Sequence, residues 1–258
     1  MTRAARERRQ VLVPILVASA LAWGLLVLGP TSTVLTAHCS GALNDSSAVV
    51  PLEMILVHNP PGPLALGWLL MTVAMMLPLM SAPVRHVRDR SFRRQRSRAI
   101  ALFLASYLSI WLIAGFALSA GVLAIRLLSG GSRVPLVLLL LSLGLYEISP
   151  LKQACLNRGH AHPALSAFGR AAEIDVLRFG WAHGAWCVGS CWALMLLPLL
   201  FTRGHLAAMA LVTLWLVAER LERPLPPQWR LRGFRKAICI VVAETKRLAS
   251  TSAFRATN

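Results

Sequence analysis

His183, Cys187, Cys191 and Met195 follow one another at four-residue steps within residues 180–198, GWAHGAWCVGSCWALMLLP. At 3.6 residues per turn this spacing keeps all four on one slowly drifting face of a helix. An imidazole, two thiols and a thioether on one face form a set of soft donors, which suits Cu(I) or another soft metal. The stretch that carries them is apolar and long enough to cross a bilayer, and reactive groups at that depth are functional candidates by default. Free Cys and Met are also ordinary packing residues, so the same face fits a helix with no site.

A second run of soft donors lies at 64–80, LALGWLLMTVAMMLPLM. Met71 and Met75 are one turn apart, as are Met76 and Met80, which gives two adjacent thioether ridges. Thioethers bind Cu(I) without losing a proton first. A third group, Glu147, Cys155, His160 and His162, sits in LYEISPLKQACLNRGHAHP. If the helices holding the first two runs are antiparallel neighbours, Met71 levels with Cys191 and Met75 with Cys187. Cys187 is then on the order of 10 Å inside the inner boundary, with Cys155, His160 and Glu147 at the mouth below it.

The elements that must position these donors follow from composition. A chain of 258 residues that is 56% hydrophobic and 14% charged is too apolar for a soluble domain. It reads as an all-α polytopic membrane protein. Its net charge of +17 raises the question of nucleic acid. Lys and Arg lie between apolar runs rather than along one polar face, so no nucleic-acid partner is expected. Four of its five Cys (Cys155, Cys187, Cys191 and Cys239) lie in or beside apolar runs or in the tail, which indicates thiols rather than a disulfide scaffold.

The apolar runs predict six transmembrane helices: 11–29, 64–80, 99–128, 134–148, 180–198 and 205–217. Of the 27 Lys and Arg, 24 fall in the segments assigned inside and 3 (Arg126, Arg133 and Arg203) in those assigned outside. By the excess of positive charge on the inner side, both termini are therefore placed inside an inner (plasma) membrane. The organisation is a cytoplasmic N-terminus over 1–10, a membrane domain over 11–220 and a basic tail over 221–258. The tail is expected to carry an amphipathic helix over 234–248 that lies on the inner leaflet. Residues 30–63 form the first outside loop, and 85–98 and 151–179 form cytoplasmic loops, the former rich enough in Arg to lie against anionic headgroups. In the third span Tyr107 and Trp111 are one turn apart, and Gly115 and Gly121 offer close helix contacts.

WLLMTVAMMLP, LYEISPLKQACL and GAWCVGSCWALM, with Glu219 closing the last span, resemble a family of predicted metal-binding integral membrane proteins, to which the copper chaperone of a bacterial tyrosinase is similar. The resemblance covers 68–219. It implies copper handling, with Met75, Met76, Cys155, Cys187 and Cys191 at the positions that match the family's motifs. Two positions depart from the pattern. Gly159 stands where the family commonly has a second Cys, and Ser190-Cys191 stands for Cys-Cys. The loss of two thiols would weaken binding, shift ligation toward His160 or His183, or leave this member without a metal.

The reading is a Cu(I)-binding membrane protein whose metal ligands come from Cys187, Cys191, Met71, Met75, Met76, Cys155, His160 and His183. It would do no covalent chemistry and would pass its ion to a recipient metalloprotein or across the membrane, with the lipid bilayer as its other partner. Two other readings are a helical scaffold or assembly subunit without a site, and an intramembrane hydrolase that uses Ser190 with His183 or His205 as base. Geometry along one helix disfavours the hydrolase, because Ser190 and His183 are roughly 10 Å apart along the axis.

Overall fold

The computed structural model describes residues 3–28, 61–129, 132, 134–200, 204–240, 242–243 and 245. All regular structure among them is helical: α1 (Arg3–Leu28), α2 (Pro61–Met76), a 3-10 turn (Leu77–Met80), α3 (Ser81–Arg90), α4 (Arg96–Ser129), α5 (Val134–Ile148), α6 (Pro150–Arg158), α7 (Gly169–Leu200) and α8 (His205–Arg220). A further helical segment covers 234–240. The expected outside loop over 30–63 lies outside the described residues up to residue 60. The C-terminal half of the expected amphipathic helix lies largely outside them too.

Four stretches are long and apolar enough to cross a membrane: Arg9–Leu28, Gly62–Arg90, Arg96–Ile125 and Gly169–Leu199. A fifth is available if α5 and α6, which meet at a bend of 56°, count as one broken span. The 16 residues of α8 reach ~24 Å, short of the ~30 Å hydrocarbon core. The six expected spans therefore correspond to four long helices, one bent pair and one short helix.

Two prolines shape the ends of these helices. Pro78 lacks the N–H that would bond the carbonyl of Ala74, and the chain tightens into the 3-10 turn there. The freed carbonyl accepts from Ser19 Oγ at 2.7 Å and Trp23 Nε1 at 3.2 Å, which ties α1 to α2. Pro198 stands in the last turn of α7, and its own carbonyl bonds His205 Nδ1 at 2.7 Å, which holds the start of α8.

The axis of the molecule is the crossing of α4 and α7. Gly180 and Gly184, one turn apart on α7, let the backbones close. A Cβ on Gly180 would sit 1.9 Å from Ser106 Oγ, and one on Gly184 would sit 3.3 Å from the carbonyl of Tyr107. Near the first turns of the same two helices an ion pair joins Arg98 and Glu173 at 2.9 Å. α2 packs on α1, α4 and α8, whereas α7 packs on α4, α5, α6 and α8. Gly115 makes the close contact expected of it, because the Trp68 indole occupies the space a Cβ would fill. Gly121 does not, since nothing lies within 4 Å of its Cβ position.

Residues 151–179 are not the loop the charges suggest. Ser149 caps α6 by accepting from the N–H of Lys152 at 3.3 Å, and Pro150 supplies a preformed first turn. α7 likewise begins at Gly169, well before its apolar run. Arg-bearing turns are compatible with helix, and charge reports which side of a membrane a segment lies on rather than its secondary structure.

Candidate functional site

Because α7 is held against α4 by glycines at 180 and 184, the next turns of the same helix bring Cys187 and Cys191 against the middle of α4. Both thiols are free and buried. Tyr107, one turn before Trp111 on α4, places its hydroxyl 3.2 Å from Cys187 Sγ. Ser190, also buried, donates to the carbonyl of Cys187 at 3.0 Å and has its oxygen 3.3 Å from Cys191 Sγ. Each sulfur thus has a hydroxyl beside it, and the two lie one turn apart on a face where ~6 Å separates Cβ atoms.

The last residue of α8 completes this cluster. The Arg220 guanidinium interacts with the Cys187 sulfur and also faces Cys191 and Tyr107. Its Nε and Nη2 are buried and have no hydrogen-bond partner. It reaches this position over Gly159, whose Cβ would lie 2.2 Å from Nη1.

The other candidate ligands separate into groups. Met71, Met75, Met76, Met80 and Met195 are fully buried in the same apolar core as the two thiols, joined by Met209 of α8. His183 is buried among the rings of Phe103, Tyr107 and Phe179, with its Nε2 unpartnered. Cys155 stands apart. It is half-buried on α6, and its sulfur would be 2.8 Å from a Cβ on Gly189. Gly189 is two residues from both Cys187 and Cys191, and so lies on the other side of α7. His160 has both ring nitrogens turned to carbonyls, Leu156 O at 3.0 Å and Arg220 O at 3.2 Å. Among the described residues no three or more His, Cys, Asp or Glu gather in a metal-binding group.

A second buried polar centre lies next to the first. Lys152 is 2% exposed and binds Glu147 Oε2 and, at 2.6 Å, Glu219 Oε1, which also accepts from Trp215 Nε1 at 3.1 Å. Behind it the chain after α8 is strapped onto α6. Gln153 donates to the carbonyls of Gln228 and Arg230, and Asn157 to that of Leu225. Arg232 bonds Asn157 Oδ1 at 2.9 Å and Arg223 O at 2.7 Å.

Sequence reasoning misses two parts of the thiol cluster. Spacing relates Tyr107 only to Trp111, and Arg220 reads only as a charge closing a helix. The spacing of Gly180 and Gly184 is the available signal that α7 meets another backbone just before its cysteines.

A family model described as PpoB2, copper chaperone, matches residues 65–243. This stretch includes α2 from its fifth residue, α3 to α8 and the strap. No curated protein and no solved structure matches the chain.

Proposed function

The chain belongs to the PpoB2 copper chaperone family, and from that premise we propose that it is an integral membrane protein that holds Cu(I) on Cys187 and Cys191 and passes it to a partner metalloprotein. The observation that carries the reading is the pair of buried free thiols one turn apart on α7, set in a core rich in buried Met. Cu(I) favours few, soft donors, so two thiolates with one thioether from Met71, Met75 or Met76 make a sufficient set. Exchange between soft sites lets the ion move to a recipient without ever being free. Met ligands also keep their neutral charge throughout, which limits the electrostatic cost of carrying the ion in a low-dielectric setting.

The membrane setting is supported by side chains that no aqueous surface would favour. α5 exposes Val134, Val137, Leu138, Leu141 and Leu145, so it is apolar on its outer face as well as its inner one. We place the termini and the Arg-rich segments on the cytoplasmic side of an inner membrane, with the bent α5–α6 pair and α8 completing six membrane segments. The reading of Ser190 as a hydrolase nucleophile has no comparable support. Its hydroxyl proton is committed to the carbonyl of Cys187, not to a histidine.

X-ray absorption on the Cu(I)-loaded protein tests the site. Sulfur-dominated coordination is expected in the wild type and should be lost when Cys187 and Cys191 are both replaced by Ser. A spectrum and copper stoichiometry unchanged in the double variant would sink the site.

A further inference from the structure

We infer that Arg220 is the fixed counter-charge of this site and that it biases the Cys187–Cys191 pair toward a monovalent soft cation. The inference rests on the reading of that pair as the copper site. The guanidinium interacts with the Cys187 sulfur and faces Cys191 and the Tyr107 hydroxyl. Two of its nitrogens, Nε and Nη2, are buried without a partner. Among the described residues no carboxylate pairs with it, and its neighbour in sequence, Glu219, is engaged by Lys152 and Trp215. The chain also makes room for it, since a Cβ on Gly159 would lie 2.2 Å from Nη1 and 3.0 Å from Cζ.

A guanidinium is always charged, and burying one without an anion is costly. Binding of the cargo sets the charge that Arg220 meets. When one Cu(I) binds, the protons the two thiols still carry leave to water, copper keeps its oxidation state, and the two-thiolate complex carries one net negative charge. Arg220 brings that to zero. A thioether as third donor leaves the count unchanged. A divalent ion such as Zn(II) on the same two thiolates gives a neutral complex, and Arg220 would then remain as an uncompensated buried cation. In a low-dielectric interior a difference of one charge at contact distance is large enough to decide which ion stays.

The full-length protein in detergent micelles, titrated without oxygen with Cu(I) against a chromogenic Cu(I) chelator and separately with Zn(II), provides the test. Arg220→Gln is expected to lose roughly tenfold or more in Cu(I) affinity, while Zn(II) affinity holds or rises. Arg220→Lys keeps the charge and should retain most of the wild-type preference. Gly159→Ala leaves both thiols and the charge count alone but puts a methyl where the guanidinium sits. It should shift the Cu(I)-to-Zn(II) ratio in the same direction, and it covers the case in which Arg220→Gln does not fold. An unchanged ratio in Gly159→Ala and in any folded Arg220→Gln overturns the role of Arg220 and leaves the copper site standing. Cu(I) binding that is indifferent to replacement of both Cys187 and Cys191 by Ser overturns the copper site, and this inference with it.

Discussion

Consecutive residues of α8 feed two different buried polar centres. Glu219 enters the cluster with Lys152 and Glu147, where the ammonium lies between two carboxylates and the indole of Trp215 adds a donor. Arg220 points instead at Cys187, Cys191 and Tyr107, and among the described residues no carboxylate pairs with it. The first centre joins one ammonium to two carboxylates and so ties α5, α6 and α8 together, with Glu147 Oε1 and Glu219 Oε2 left without a hydrogen-bond partner. The second sets a cation beside two free thiols, the pair proposed above to bind the ion. Buried polar groups are therefore not equivalent evidence of function: an ammonium held by two carboxylates serves to join helices, whereas a guanidinium beside two thiols bears on what those thiols can bind.

The sharpest way to break this comparison is at the thiol pair itself. Cys191→Ala should abolish Cu(I) binding, whereas Ser190→Ala should leave it, since the hydroxyl only rests on the Cys187 carbonyl and beside the Cys191 sulfur. Neither should unfold the protein, because each is a small change in a helix. Copper stoichiometry of the purified variants, together with rescue of a deletion strain, separates them. Loss of activity confined to Ser190→Ala would favour the hydrolase instead.

At the ion cluster the opposite outcome is expected. Lys152→Met leaves Glu147 and Glu219 buried without their shared cation, and breaking such a pair from one side typically costs about 3–5 kcal/mol. Thermal unfolding in detergent should register the loss, while copper stoichiometry of the fraction that remains folded stays at the wild-type value. A variant that unfolds normally but binds less copper would mean that the two centres are one.

Much of this division is visible in the sequence, and the reason for the rest is physical. Period and hydropathy reveal the helices that hold Cys187, Cys191 and the four Met of the second run, because those signals are local. Lys152 carries the same local signature as any inside charge, and only the fold shows that it is buried between two carboxylates, one of them contributed by a distant segment. Arg220 and Cys187 come from different helices, so no spacing rule relates them. The helix α6 is legible in principle from Ser149-Pro150, a cap followed by a first-turn Pro, but the charges around it speak only to topology. Cys155 shows the reverse case. A motif match groups it with the thiol pair, whereas the fold turns it to Gly189 on another side of α7.

A smaller effect is expected at Tyr107. Its hydroxyl is 3.2 Å from Cys187 Sγ, so Tyr107→Phe keeps the ring in the core and removes one hydrogen bond. That is about 1 kcal/mol, a few-fold in Cu(I) affinity measured by chelator competition. An effect as large as that of Cys191→Ala would make the phenol a ligand rather than a neighbour.

The smallest effect lies outside both centres, in the turn between α6 and α7. His86 Nε2 bonds the carbonyl of Pro163 at 2.8 Å, and its ring meets that of His162 at 5.0 Å. Partial burial, and then the nearby His86, hold His162 below the usual histidine range. An unfolded chain therefore takes up a proton at this residue at a higher pH than the folded one does. Stability from this source is fully present above the ordinary histidine value and is lost as the pH falls through the folded value. His162→Gln removes that linkage, so its melting temperature should decline less between pH 7.5 and pH 5.5 than that of the wild type. The difference should be small, because the residue is largely exposed and water screens its neighbours. Copper stoichiometry at pH 7.5 should be identical in the two proteins. A loss of bound copper in His162→Gln would instead draw this turn into the site and undo its separation from the thiol pair.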